Sequence, residues 1–469
     1  MKAKKFALIF LCKKKIITKH HNMKKGSIGQ FIVLALLTII LIQAGCARQG
    51  RGTDDKPIES VVVENTDQEV VLGQTENEEV TPKVNIFIEN SASMNGFIND
   101  ASDFQNAILA LTSKLKNNYG KDNLTLGFIN ASVVPQHGED PYQLVNKMLV
   151  RNNFTSAGPT STTDLNNLIK LVLNNTDNNT LSFFISDCIY SIKGTGTTPS
   201  LLGKCQNGTM DVFMERMNDT KDLSMLFVRM ESNFNGGYWD YLHPSGRASQ
   251  QLTNKNRPYF LCVVGTHDNI VAFSKDISIE ELPGYSQQYY LSGKDLSKTF
   301  YSVVSNPFKT GPISVEGDAS VLIRRDGNLR FAIAVNLTDF PMTEEEKTNP
   351  ESYSVDGNFI IESIEPINNR FSTNPDEKKK VVDNNCTHYI MVSPQGHPSD
   401  FSIHIKRQVP SWVADFSSDD DTGISNDNEE ELKKTFGIMY FVNGVANAYR
   451  EKSREKDYYF TMIIKVKHN

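Results

Sequence analysis

The mature part of this chain has no block of lysine and arginine, and the whole chain carries a formal charge of -6. A protein that binds nucleic acid needs clustered cations to displace counterions from phosphates, so that partner class is excluded. The chain also has no G-x-S-x-G elbow, no phosphate-cradling glycine loop and no cysteine or histidine pair at zinc spacing. His243 and His267 stand singly in apparent loops, without the partner spacing of a general base. Ser113-Lys114 matches a serine-lysine pair but falls inside a helical repeat, where it is a solvated face. These absences argue against an enzyme. The longest apolar run, residues 31–42, is about a dozen residues, short for a membrane span of about 20.

That run belongs to a targeting segment. Met23-Lys24-Lys25 supplies positive charge, the apolar run follows, and Gln43-Ala44-Gly45-Cys46 is a small-residue site ending on cysteine. It resembles a bacterial lipoprotein lipobox, which implies cleavage before Cys46, lipidation of that residue and an envelope location. A membrane anchor is the competing reading. Ala47 after the cysteine fits the sorting pattern for the outer membrane. Residues 1–22 read as an extension upstream of a start at Met23. Residues 47–82 are polar, mostly acidic and free of aromatics, the composition of a solvated tether; Ser60-Val61-Val62-Val63 is the one stretch able to pair as an edge strand.

In 469 residues, 39% hydrophobic and 22% charged content leave room for two ordinary domains. The first spans residues 83–283. Apolar strands are expected at 84–89, 124–130, 181–186, 223–230 and 258–264. Between them lie helical repeats: Ser102-x-x-Gln105 is a capping box, followed by Phe104, Ile108, Leu111 and Leu115 at helical spacing and stopped by Gly120. Short helices are expected over 142–149 and 210–217, and Thr163-Asp164 opens another carrying Leu165, Leu168, Ile169 and Val172 on one face. Continuous apolar strands alternating with amphipathic helices predict an α/β domain with a doubly wound, mostly parallel sheet covered on both faces. Ligands in such sheets sit beyond the carboxyl ends of the strands.

Oxygen-rich turns fall at that edge. The strand Val84-Asn85-Ile86-Phe87-Ile88 runs into Glu89-Asn90-Ser91-Ala92-Ser93-Met94, placing one carboxylate and two hydroxyls at alternate positions, the donors that hard cations take. The pattern Glu89-x-Ser91-x-Ser93 resembles the metal-ion-dependent adhesion motif of the von Willebrand factor type A family, with glutamate where that family has aspartate. The resemblance covers about residues 84–280. It implies that Thr163, with Thr162 and Thr160 as other registers, and Asp187 at the end of Phe183-Phe184-Ile185-Ser186 complete a metal site for Mg²⁺, or for Mn²⁺ or Ca²⁺. The implied chemistry is adhesion: a protein or glycan partner, acidic at the point of contact, held through the ion. Backbone preference alone also puts Ser, Thr and Asn at turns and caps. That leaves a metal-free scaffold or assembly subunit of an envelope complex as the second reading.

Residues 233–246 carry Tyr238, Trp239 and Tyr241 among glycines, a composition suited to a partner-binding loop, or to a lid closing on the domain. Cys188 and Cys205 bracket a long glycine-rich segment, and an oxidising envelope would allow a disulfide between them; Cys262 reads as a buried free thiol. Beyond residue 284 the pattern changes to short strands with turn signals at residues 324–328 and at Asp356-Gly357, predicting a β-sandwich, immunoglobulin-like, over 284–469. Phe401, Ile403 and Ile405 share one face, leaving His404 outward. The acidic stretch 415–431, with Asp419-Asp420-Asp421, reads as a solvated loop in preference to a calcium loop. A helix over 435–449 and a strand over 458–466 close the chain.

Overall fold

The computed structural model describes residues 81–158, 164–244, 246–306, 308–325, 327–453 and 456–468. The leader, the lipobox cysteine Cys46, nearly all of the tether and the threonine loop with Thr163 lie outside the described residues.

The first strand, β1 (Lys83–Glu89), is followed by a short 3₁₀ helix over Ala92–Phe97. Then follow α1 (Asp103–Tyr119), β2 (Leu124–Ile129), β3 (Val133–Gln136), α2 (Pro141–Met148), α3 (Arg151–Ser156) and α4 (Leu165–Asn174). The Ser102/Gln105 capping box is formed, and Gly120 ends α1. Next come β4 (Thr180–Ser186), α5 (Thr198–Arg216), β5 (Leu223–Tyr238), β6 (Gln250–Thr266), α6 (His267–Asp276) and β7 (Tyr285–Ser292). The seven strands lie in the order β3-β2-β1-β4-β6-β5-β7. Alternation along β1 drives the layering: Val84, Ile86 and Ile88 join α1, α2 and α6 in one apolar cluster, whereas Phe87 joins α4 and α5 in the other. Helices therefore cover both faces.

The expectation of a mostly parallel sheet is corrected. Only the centre is parallel, β1 with β2 and β1 with β4. The pairs β2–β3, β4–β6, β5–β6 and β5–β7 are antiparallel, giving a mixed sheet. The physical cause is the β5–β6 connection. No helix intervenes between these strands, and a direct hairpin return forces antiparallel pairing. Both strands also outrun the sequence expectation, because residues 231–257 continue the ladder beyond the apolar stretch that marks the sheet interior. The sheet runs past residue 283 through β7.

The remaining elements are β8 (Tyr301–Val304), β9 (Ile313–Val315), β10 (Ser320–Ile323), β11 (Phe331–Val335), α7 (Glu344–Thr348), β12 (Tyr353–Asp356), β13 (Phe359–Pro366), α8 (Pro375–Asp383), β14 (His388–Pro394) and β15 (Phe401–Lys406). After these come α9 (Ser411–Asp415), β16 (Ser417–Ser418), α10 (Glu429–Leu432), β17 (Thr435–Phe436), α11 (Ile438–Lys452) and β18 (Tyr458–His468). Two largely antiparallel sheets, β12-β15-β18-β10-β9 and β13-β14-β11-β8, contribute to one apolar cluster. The turns at 324–328 and Asp356-Gly357 do not make hairpins: β10 and β11 belong to different sheets, as do β12 and β13. Turn chemistry bends the chain, but which core a strand faces selects its neighbour. His404 faces away from Phe401 and Ile403 as expected, yet it is buried, stacked on Tyr458 and bonded to Thr461. The helix α11 places Phe441, Val442 and Val445 in the cluster that holds Phe227 and Phe260 of the seven-stranded sheet.

Candidate functional site

The parallel centre brings the carboxyl ends of β1 and β4 to one edge, with Ile88 opposite Ile185. Glu89, Ser91 and Asp187 all sit there, each buried. Ser91 Oγ lies 3.0 Å from Ser93 Oγ, and Ser93 in turn hydrogen-bonds the Asp187 carboxylate. The structure thus brings Ser91, Ser93 and Asp187 together at this edge. Glu89 accepts a hydrogen bond from Ser186 at 2.5 Å, and Ser186 Oγ also accepts the N–H of Cys188 at 2.8 Å. Cys188 has φ +51°, so the chain turns sharply after Asp187 and aims the Ile189 N–H at Asp187 Oδ1, 3.3 Å away.

Sequence reasoning passed over Asn90. It is fully buried; its amide donates to the carbonyls of Phe154 and Ala157 at 3.0 and 2.7 Å, and its Oδ1 accepts from Asn130 at 2.7 Å. These bonds tie the end of β1 to the chain that leads into the threonine loop.

Electrostatically the site is buried and carries both signs. Burial pushes the Asp187 carboxyl above the usual carboxylate range, while the bond from Ser93, the Ile189 N–H and the positive charge of Arg257 pull it back. Arg257, on β6 and buried, donates to the carbonyls of Leu432 and Lys434 at 2.8 and 3.1 Å and stands over the Tyr238 ring. The donor set suits a hard cation in its two hydroxyls and one carboxylate. Among the described residues no group of three or more histidine, cysteine, aspartate or glutamate side chains gathers to hold a metal ion.

The hairpin of β5 and β6 stands over the same edge. In the antiparallel register Ser186 faces Phe260, so Arg257 and everything nearer the hairpin turn project past the end of β4. Phe234 covers Gly96 of the 3₁₀ turn: a Cβ on Gly96 would meet its ring at 2.2 Å, and one on Gly236 would meet the Gly96 Cα at 2.7 Å. Two glycines are required where these backbones touch.

The expected partner loop is drawn inward. Tyr238 is buried and its hydroxyl donates to Asp421 at 2.6 Å; Tyr241 stacks on Phe436 with rings 5.4 Å apart and 2° from parallel. Trp239 is half-buried and donates to the Gly246 carbonyl at 3.2 Å. The stretch 415–431, expected to be a solvated loop, supplies Asp421, which is buried, as are Ile424 within it and Leu432 directly after it. Its signal was Ile424 inside the acidic stretch and Leu432 at its border.

Cys188 and Cys205 are both free thiols, so the structure does not form the disulfide that the segment allows. Cys188 is turned into the core against Cys262, whereas Cys205 lies on α5. His267 opens α6 beyond the amino end of β4, at the opposite edge from Ser91, with Nδ1 2.8 Å from Ser292 Oγ. His243 is bonded to Asp240 at 2.8 Å. No family profile, curated protein or solved structure matches the chain.

Proposed function

We propose that this chain is a lipid-anchored bacterial envelope protein, of the outer membrane, whose seven-stranded domain binds a protein or glycan partner through a divalent cation at the β1/β4 edge. The reading includes a type A-like identity for that domain and a sandwich of the two smaller sheets as spacer or second contact surface. One observation carries it: Ser91 and Ser93 converge with Asp187, distant from them in sequence, at the carboxyl ends of adjacent parallel strands. Those three would hold Mg²⁺, Mn²⁺ or Ca²⁺, with Thr163 and Glu89 as the further ligands that the resemblance implies. A cation there supplies an open coordination position for an acidic group of the partner. The chemistry is binding rather than turnover.

A second reading, a metal-free scaffold subunit, is favoured by Arg257, whose guanidinium already sets a positive charge near Asp187. Calorimetric titration of Mg²⁺, Mn²⁺ and Ca²⁺ into residues 47–469 and into its Ser91→Ala variant separates the two. Saturable binding lost in the variant supports the cation site. Absence of binding in both leaves the scaffold.

A further inference from the structure

A cleft of about 330 Å³ opens where α6, β7 and the chain leading into α7 meet. The antiparallel register of β5 and β7 sets Leu226 opposite Tyr290, and both residues line it, so a sheet face is its floor. Tyr290 is fixed there by its hydroxyl, 3.0 Å from His267 Nδ1. One wall is the end of α6 and the 3₁₀ turn Ile279–Glu281, which bring Ile277, Ile279 and Glu280. The other wall is residues 341–346, which bring Met342 and Glu346. Leu226, Ile277 and Ile279 are buried, so the lower part of the cleft is apolar. A concavity of this volume, apolar below with a few polar groups above, has the make-up of a small-molecule site.

Charge decides which molecule. No lysine, arginine or histidine lines the cleft, whereas each wall contributes a carboxylate, Glu280 on one and Glu346 on the other. The acidic residues close by in sequence are paired: Glu281 with Lys114 at 3.0 Å, Glu344 with Lys347 at 2.7 Å and Asp268 with Lys294 at 3.0 Å. Glu280 and Glu346 have no such partner among the described residues. Their hydrogen bonds use one oxygen each. Glu280 Oε1 accepts from Gln288 at 3.2 Å, and Glu346 Oε2 accepts the N–H and hydroxyl of Thr343 at 2.7 and 3.0 Å in the capping box of α7. Glu280 Oε2 and Glu346 Oε1 are left to a ligand. The carboxyl end of α6 adds the negative pole of a helix dipole on the Glu280 side. Anions are therefore repelled, and the shape that complements the cleft is a positive group at each wall joined by an apolar chain across the floor.

We infer that this cleft binds an aliphatic diamine, one ammonium on Glu280 and the other on Glu346, with the methylene chain over Leu226, Ile277, Ile279 and Met342. None of the lining residues belongs to the cation site at the β1/β4 edge, so the inference stands apart from the proposed function.

The test is calorimetric titration of cadaverine into residues 47–469, with pentylamine and pentanediol as the analogues that lack one ammonium or both. Cadaverine should bind saturably, pentylamine about threefold or more weakly, and pentanediol not at all. Glu280→Gln and Glu346→Gln should each weaken cadaverine binding by about threefold or more. Both variants keep the fold, because Glu280 is exposed and glutamine serves a capping box as glutamate does. Glu345→Gln removes the same charge from an exposed position outside the cleft and should leave binding unchanged. Ser91→Ala should also leave it unchanged, which separates this result from the metal titration. No saturable binding of cadaverine, equal binding of pentylamine, or an equal loss in Glu345→Gln overturns the proposal. So does tighter binding of N-acetyl-lysine methylamide than of cadaverine, which would assign the cleft to a lysine side chain of a protein partner.

Discussion

Ser186 bridges Glu89 and the turn after β4: its hydroxyl donates to the buried carboxylate at 2.5 Å while accepting the Cys188 N–H at 2.8 Å. One hydroxyl thus serves the residue that departs from the adhesion pattern and the sharp backbone bend beside Asp187. Ser186→Ala leaves a buried carboxylate oxygen and a buried N–H each short of this partner. The expected loss is about 1–3 kcal/mol in denaturant unfolding. A change within experimental error would show that water replaces the hydroxyl.

Two glycine substitutions should move stability in opposite directions. At Gly236 a methyl group meets the Gly96 Cα at 2.7 Å, and neither backbone can give way without shifting the hairpin. Gly236→Ala should destabilise by about 1–3 kcal/mol. Gly203, inside α5, has nothing within 4 Å of a built Cβ. Gly203→Ala should stabilise by about 0.5–1 kcal/mol through helix propensity alone. Thermal or urea melts of the pair check both signs.

Asp421 predicts a pH dependence of known sign. Its folded pKa is raised, first by burial, so the ionised form is disfavoured in the folded state. Whatever stability this residue contributes is full below its unfolded value, near pH 4, and declines as pH rises through the folded value. Asp421→Asn lacks that decline. The stability of the variant relative to the unsubstituted chain should therefore rise as the pH is taken above about 4, read from urea midpoints at each pH. Parallel curves would show that the carboxyl titrates as it does in the unfolded chain.

The free thiols divide by accessibility. Cys188 and Cys262 are fully buried, and burial pushes the Cys188 thiol well up; Cys386 is pushed up to about 12 by the same cause. Cys205 is half-buried, with Asp164 adding to the rise. In the native protein at neutral pH, iodoacetamide should label Cys205 slowly and leave Cys188 and Cys262 untouched, with all three reacting in denaturant. A mass gain of two hydrogens on reduction, mapped to Cys188 and Cys205, would restore the disulfide.

Alternation and capping made the helices and the central strands legible: Val84, Ile86 and Ile88 announce β1, and Ser102 with Gln105 announces α1. The convergence of Ser91, Ser93 and Asp187 was readable because each follows an apolar strand or opens a turn at its end. Strand direction was not readable beyond β4. A run such as residues 258–264 is equally apolar in a parallel or an antiparallel neighbour, and only the missing helix between β5 and β6 distinguishes them. Arg257 and Arg229 were hidden for another reason. A lone arginine in a strand looks solvent-facing until the carbonyls it holds, Leu432 to Lys434, are brought to it from the far end of the chain.

That far end has a bearing on synthesis. The last strand, β18, lies between β15 and β10 in its sheet, and α11 just before it completes one face of the seven-stranded sheet. A chain that has emerged only to residue 430 has most of its strands yet can close neither the apolar cluster that α11 covers nor the one that β18 joins. Both of these units therefore depend on contacts that are long-range in sequence. Loss of α11 and β18 would cost both units, not one.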